Sequence, residues 1–514
     1  MSMTFKPPTD AELAEIAEEL GIYYTDADIA VYKRFIDRIL DDIEWVARGT
    51  TPQFAPHDID YSDREFGHKP TPENNPYNAW ITKCRVEGAK NGPLAGKTVG
   101  LKDNISLAGV EMTCGSRLLN GYRPGIDATV ATRLLESGAE ITGKLNMESF
   151  SFSTSSDSSD YGKVTNPWDR NYIAGGSSSG SGVAPAIDEV DIAVGTDQGG
   201  SIRVPAACCG IVGLDPTTGL VPYTGIFPLD NTMDHVGPMA KTVKETAVAL
   251  EVMAGNDGLD SRQPPSLDTD TYTEGLVEDV TDIEIGVLAE GFEHDESEQV
   301  VSDAVRDAIA TFEDLGSTIR SVSVPLHDKA SKFAFVIWGY GGLQIYKQSG
   351  QGSLYKDWYN TELMETFKRS KNTSMNELSD TEKAILLAMG YFDHGYPDPI
   401  YGNSQNLSLE LQRKYDEVFE DVDVIALPTI PMKPFEMDGA NDRVDRLLRE
   451  SHLTKNTSPF STTNHPSISI PVGTVDGLPV GLQLVADHFE EKKLIRVSYT
   501  LEQNIDWKDR TYST

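Results

Sequence analysis

Apolar residues recur along this chain with two different periods, and the change from one to the other divides it. Between residues 9 and 48 the period is helical. Thr9 and Glu12 stand where a capping box needs them. Leu13, Ile16, Ala17 and Leu20 follow at helical spacing, and Gly21 ends the helix. A second helix is predicted from near Thr25, with Ile29, Tyr32, Phe35, Ile36, Ile39, Ile43 and Val46 along one stripe. A stripe of this kind predicts a core face or a contact between protomers, with no catalytic role. Residues 50–80 are rich in Pro, Asp and Asn and predict a wrapping linker. From about Leu94 short β-like runs (98–101, 139–143) alternate with helix-like segments such as 127–137. That alternation predicts an α/β layered fold. Residues 256–283, acidic and carrying Pro264 and Pro265, predict a surface excursion. A second α/β run begins at Ile283, and 422–428 and 467–471 predict buried strands. No internal repeat is visible.

Charge narrows the function classes. Lys and Arg number 44 against 80 Asp and Glu, a formal net charge of −36. Nucleic-acid binding needs cationic surface to displace counterions, so this balance argues against it. It argues equally against a polybasic membrane patch. The acids are spread along the chain, which predicts a solvated acidic surface. No apolar stretch approaches the length needed to span a bilayer. The first twenty residues lack a basic region followed by an apolar run, so no secretory leader is expected. Cys84, Cys114, Cys208 and Cys209 show no zinc-ligand spacing and predict free thiols in a reducing cytoplasm. The nine His show no ligand spacing either, so neither a metal site nor a cofactor is expected.

Two segments carry candidate chemistry: 174–183, AGGSSSGSGV, and 195–205, GTDQGGSIRVP. A Gly/Ser run is ordinarily a flexible linker, but these two are flanked by apolar segments inside an enzyme-sized chain. Glycines let backbone N–H groups converge on one anion. An acyl-transfer enzyme needs such donors for its oxyanion, and a serine among them can attack the carbonyl they hold. Phosphate-binding loops use the same parts. Gly176 to Gly180 also matches the G-x-S-x-G nucleophile elbow with Ser178 as nucleophile, but no clean strand precedes it. Gly138 to Lys144 nearly matches a P-loop, but Leu145 stands where Ser or Thr must hold magnesium.

The runs GGSSSGSG, DQGGSIRVPAACCGIVGLDPTTGLVP and TMDHVGP resemble the amidase signature family. The upstream LKDNISLAGVEMTCGS and GKLNMES, and the downstream NHPSISIPVG and GLPVGLQLV, fit the same family in the same order. The resemblance spans about Asn78 to Gln503. Within the family the chain looks closest to broad-specificity bacterial amidases of the nitrile-degradation type. The resemblance implies an α/β fold with a large mixed, twisted sheet covered by helices. It implies a catalytic domain over 76–514, preceded by an N-terminal helical segment over 1–75 that serves as a dimerisation element. It implies hydrolysis of a small-molecule amide to acid and ammonia by a Ser–cis-Ser–Lys triad. Ser201 would be the nucleophile, Ser177 the bridge behind a cis peptide bond, and Lys102 the base. The backbone of Gln198, Gly199, Gly200 and Ser201 would hold the oxyanion. Lys144 is a rival to Lys102 on residue type alone. Phe152, Leu229 and Trp338 would line the acyl pocket, with ordinary core packing as the other explanation. Asp215 departs from the Lys that commonly precedes Pro-Thr, a difference expected to alter local surface charge. The A subunit of a glutamyl-tRNA amidotransferase shares the signature and is the alternative function. A non-catalytic protein on the same fold is disfavoured because all three triad positions are intact.

Overall fold

The computed structural model of the protein describes residues 6–48, 64–350, 352, 355–396 and 399–507. Two compact units make up the chain, Met1–Asp58 and Ile59–Thr514. The first holds two helices, α1 (Asp10–Leu20) and α2 (Asp26–Arg48). The capping box of Thr9 and Glu12 forms, and Gly21 closes α1 in the left-handed conformation at φ 64°. Lys33 of α2 reaches Asp10 of α1 at 2.7 Å. The stripe on α2 is not enclosed by α1, since Tyr32, Phe35, Ile43 and Val46 are exposed. Of the expected linker, residues 50–63 lie outside the described residues. The rest is partly ordered into sheet rather than loop.

The second unit is built on one twelve-stranded sheet. In chain order its strands are β1 (Glu65–His68), β2 (Trp80–Glu87), β3 (Thr98–Lys102), β4 (Glu140–Leu145), β5 (Ile192–Asp197) and β6 (Val212–Asp215). They continue with β7 (His235–Ala240), β8 (Glu284–Leu288), β9 (Thr318–Val322), β10 (Val424–Pro428), β11 (Ser467–Val475) and β12 (Leu478–Ala486). Their spatial order is β1-β2-β4-β3-β5-β7-β6-β11-β12-β10-β8-β9. β3 runs parallel to both β4 and β5, and β8 runs parallel to both β9 and β10. The remaining pairs are antiparallel, so the sheet is mixed, as expected.

Central strands of this sheet are buried on both faces, which is why they read as continuous apolar runs. Along β5, Ile192 and Val194 join the main core while Ala193 faces the other way, toward Ala184 and Ala206. That opposite face is covered by α4 (Ser179–Ala186) and α5 (Arg203–Cys209), following α3 (Thr129–Glu136) in the chain. The main core is closed by α3, α6 (Val243–Met253) and α7 (Gln299–Asp314). On α7, Val301, Val305, Ala308, Ile309 and Phe312 are the buried stripe. A second apolar cluster forms where α8 (His327–Lys347), α9 (Thr361–Ser374) and α10 (Asp380–Gly395) meet Phe150 and Phe152. The chain then runs through α11 (Ile400–Phe419), α12 (Arg443–Leu453), α13 (Ser458–Thr463) and α14 (Glu491–Asn504). The acidic stretch over 256–283, expected as a surface excursion, is not wholly superficial. Asp260, Gln263 and Tyr272 within it are buried.

Candidate active site

Parallel neighbours end at the same edge of a sheet, so β3 and β5 bring Lys102 and Asp197 to one edge. Lys102 is the last residue of β3 and wholly buried. Its Nζ donates to Ser177 Oγ at 2.7 Å, to Thr196 Oγ1 at 2.8 Å and to the Thr196 carbonyl at 3.2 Å. Loss of hydration penalises the ammonium, and Asp197 and Glu148 only partly restore it. The Lys102 pKa therefore falls to about 7. Asn104 Nδ2 donates to the same Thr196 Oγ1 at 3.1 Å, so Thr196 holds both side chains. Ser177 follows a cis Gly176–Ser177 peptide and leads into α4. Its carbonyl accepts the N–H of Glu148 at 3.1 Å.

Lys144 is separated from this site by its partner. It is equally buried but lies 3.3 Å from the Asp103 carboxylate. It also sits within β4 and not in a loop entering a helix, so the P-loop likeness has no structural basis. Ser178, the elbow candidate, follows no strand, and its hydroxyl donates to the Thr196 carbonyl at 3.1 Å.

Beyond β5 the chain folds around the Asp197 carboxylate. That carboxylate accepts the N–H groups of Gly199 (2.9 Å), Gly200 (2.5 Å) and Ile202 (2.9 Å). The Arg203 guanidinium closes on it with Nε at 3.1 Å and Nη2 at 3.0 Å. Burial alone would raise the Asp197 pKa, but Arg203 and the Ile202 N–H outweigh it and hold the carboxyl well below its usual range. Ser201 tops this loop. Its carbonyl accepts the Ser178 N–H at 3.3 Å, which joins the two Gly/Ser runs. It is 5% exposed where Lys102 and Ser177 are at 0%, so the site opens on its side. Gly200 must be glycine: its φ is +137°, and a Cβ there would meet Thr457 Oγ1 at 2.2 Å.

Two expectations change here. The Gly199 and Gly200 N–H groups, expected to face an oxyanion, are donated to Asp197. Each is free for an oxyanion only by sharing or releasing that bond. Asp215 is not a surface charge at all. It is fully buried, with Oδ2 3.2 Å from Arg203 Nη2. Neither of its oxygens has a hydrogen-bond partner among the described residues. Burial and the nearby Asp197 charge push its pKa up, against the pull of Arg203.

Phe152, Leu229 and Trp338 come together in one apolar cluster, with Phe152 and Trp338 edge to face at a centroid separation of 6.1 Å. Phe227 belongs to that cluster too, and its N–H donates to the Asn104 carbonyl at 2.9 Å. The cluster therefore abuts the Lys102 loop. Thr196, Asn104 and Asp197 went unassigned in the sequence, although each lies inside a run that signalled the site. Arg203 gave no sign of its burial, because its partners Thr457, Ser461 and Gln483 are more than 250 residues away.

The family model described as Amidase matches residues 78–495. An enantioselective amidase of Rhodococcus rhodochrous is 38% identical over 439 residues, covering 84% of this chain and 84% of that protein. The A subunit of the glutamyl-tRNA(Gln) amidotransferase of Natronomonas pharaonis is also 38% identical, covering 83% of this chain and 99% of that protein. Among solved structures, the A subunit of the glutamyl-tRNA(Gln) amidotransferase of Thermotoga maritima superposes with a TM-score of 0.71 at 28% identity, covering 84% of this chain and 89% of that one. With its mixed sheet, its buried lysine beside Ser177 and a match over most of its length, this chain belongs to the Amidase family and is an amide-hydrolysing enzyme.

Proposed function

We propose that the chain hydrolyses carboxylic acid amides to the acid and ammonia through an acyl-enzyme on Ser201. The observation that carries this reading is the contact of 2.7 Å between Ser177 Oγ and a Lys102 amine lowered to a pKa of about 7. Neutral Lys102 takes the proton of Ser177 while Ser177 takes that of Ser201. Ser201 Oγ attacks the amide carbon, and the carbonyl oxygen becomes an oxyanion. The N–H groups of Gln198 and Ser201 receive it, with Gly199 and Gly200 joining as they turn from Asp197. Collapse of the intermediate breaks the C–N bond, and the leaving nitrogen regains the proton through Ser177. Water then opens the acyl-enzyme: the relay takes its proton as it attacks the acyl carbon, and Ser201 Oγ regains a proton through Ser177 as the acid leaves. Phe152, Leu229 and Trp338 supply an apolar wall for the acyl group.

One support for a free-standing enzyme over a component of an amidotransferase is the share covered. The matched stretch leaves 16% unmatched in both this chain and the Rhodococcus amidase, but 1% in the Natronomonas protein. That 99% coverage is also what keeps the amidotransferase reading open. The four thiols are free and buried, which suits a reducing cytoplasm. Among the described residues no helix is long and apolar enough to cross a membrane. The apolar stripe of α2 suits a homodimer, to be measured by light scattering of the chain and of Phe35→Asp.

The deciding experiment offers purified chain, alone, a panel of acetamide, propionamide and benzamide. Ammonia should be released, Ser201→Ala should abolish it, and a fluorophosphonate should label Ser201. Release only after partner subunits are added would select the amidotransferase reading, and an adduct on Ser178 would move the nucleophile.

A further inference from the structure

Four side chains remote in sequence meet at the end of the β11–β12 hairpin. Ser467 pairs with Val485, so the residues just before β11 and just after β12 lie side by side. This brings His465 against His488, with ring centroids 4.1 Å apart. Asp487 adjoins His488, and Asp416, on α11, completes the group. One ligand atom from each of the four lies within 4.8 Å of every other.

Their hydrogen bonds decide which nitrogens carry protons. His488 Nε2 is 3.0 Å from the Thr463 carbonyl, which can only accept, so Nε2 is the protonated nitrogen. His465 Nδ1 is 2.9 Å from Thr463 Oγ1. That hydroxyl also lies 3.1 Å from the Pro459 carbonyl, and when it donates there it accepts from His465 Nδ1–H. A ring that is neutral in this arrangement turns its lone pair the other way. His465 Nε2 faces Asp416 Oδ1 at 3.3 Å, and His488 Nδ1 faces Asp487 Oδ1 at 3.4 Å. A lone pair opposite a carboxylate is repulsive. His465 is wholly buried, and its Nε2 has no hydrogen-bond partner among the described residues. A cation between these atoms removes the conflict at every one of them.

We propose that His465 Nε2, His488 Nδ1, Asp416 and Asp487 bind one divalent ion of the zinc type. Two imidazoles and two carboxylates suit a late first-row ion better than magnesium or calcium. Zinc bonds of about 2.0–2.2 Å place the ligands of a tetrahedron roughly 3.3–3.5 Å apart, which both facing pairs already match. Asp416 and Asp487 are half-exposed, so they can close the wider separations. Thr463 anchors both rings through their protonated nitrogens, the outer support that metal-bound histidines ordinarily have. The ion would tie α11 to the hairpin and to α13, whose last residue is Thr463. That same helix supplies Ser461 to Arg203 at 2.6 Å, so the tie braces the base of the Ser201 loop from behind.

The test uses the full chain stripped with a chelator and dialysed. Titration with zinc should show one equivalent bound and a raised thermal midpoint. Cobalt(II) should give the intense visible bands of a four-coordinate ion. The double variant Asp487→Asn, His488→Ala changes partly exposed side chains and should weaken zinc binding by about a hundredfold or more. Asp416→Asn should weaken it independently. Zinc uptake equal in the parent and both variants would overturn the proposal, because the general acidic surface would then account for it. So would cobalt that keeps the spectrum of the aqua ion. Both readouts are independent of amide hydrolysis.

Discussion

A lysine in water holds its proton to a pH of about 10.4. Lys102 is instead enclosed, and its pKa of about 7 places the neutral base within reach of ordinary pH. Activity per substrate encounter should therefore climb about tenfold per pH unit below 7 and level off above it. Lys102→Ala should cost roughly a thousandfold or more. Lys102→Arg should not rescue it, because a guanidinium cannot accept the proton. A folded Lys102→Ala enzyme with near-normal ammonia release would sink the relay. Asp215 gives a contrasting expectation. Burial raises its pKa despite Arg203, so Asp215→Asn should lower the thermal midpoint less than loss of Arg203 does. Arg203→Ala strips Asp197 of its buried partner and should cost about 3–5 kcal/mol in a denaturant titration.

Among the elements, α12 has a docking contact that depends on protonation. Its Glu450 is buried against residues 153–158, accepting the Ser155 hydroxyl at 3.1 Å, and Arg446 reaches Asp157 at 3.0 Å. Burial, with Glu148 and Asp157 nearby, raises the Glu450 pKa to about 8. A carboxyl raised in the folded state binds its proton more tightly there than when unfolded. Its stabilisation is thus complete below the unfolded value near 4.5 and is lost as pH rises through 8. The thermal midpoint should fall between pH 5 and 9 by the equivalent of a few kcal/mol, on the order that linkage allows. Glu450→Gln keeps the shape without the titration and should flatten that decline. An unchanged slope in the variant would show that α12 does not titrate this way.

Across the whole molecule the net charge of −36 acts as self-repulsion that dissolved ions screen. The thermal midpoint and the solubility should both rise between low and molar sodium chloride. A midpoint that is flat or falling over that range would mean the acidic groups are already compensated within the fold. The surface carries many such compensations, including Lys97 with Asp191 and Glu245, and Lys492 with Asp270 and Glu274. Exposed pairs of this kind contribute little each, so the uncompensated excess should dominate.

The helices of the first unit and strands such as β3 and β10 were legible because their cause is local: an apolar period, a cap, a closing glycine. Lys102, Ser177 and Ser201 stood out as candidates for a related reason. Each sits in a short run whose composition serves little purpose except close backbone approach, and the order of those runs resembles a known family. β12 was not separated as a strand, since Pro479, Gly481 and Gln483 break up the apolar run LPVGLQLV. Charge burial was decided elsewhere. Asp215 reads as surface in the chain and becomes a core acid beside Arg203, which is itself held by Thr457 and Gln483. The choice of Lys102 over Lys144 rests on which one the sheet turns toward Ser177 and which toward Asp103. The facing of Asp416, His465, Asp487 and His488 has no spacing signature, because hairpin register and a helix from another part of the chain create it. Periodicity is a property of neighbours along the chain, whereas pKa, tautomer and ligand geometry belong to neighbours in space.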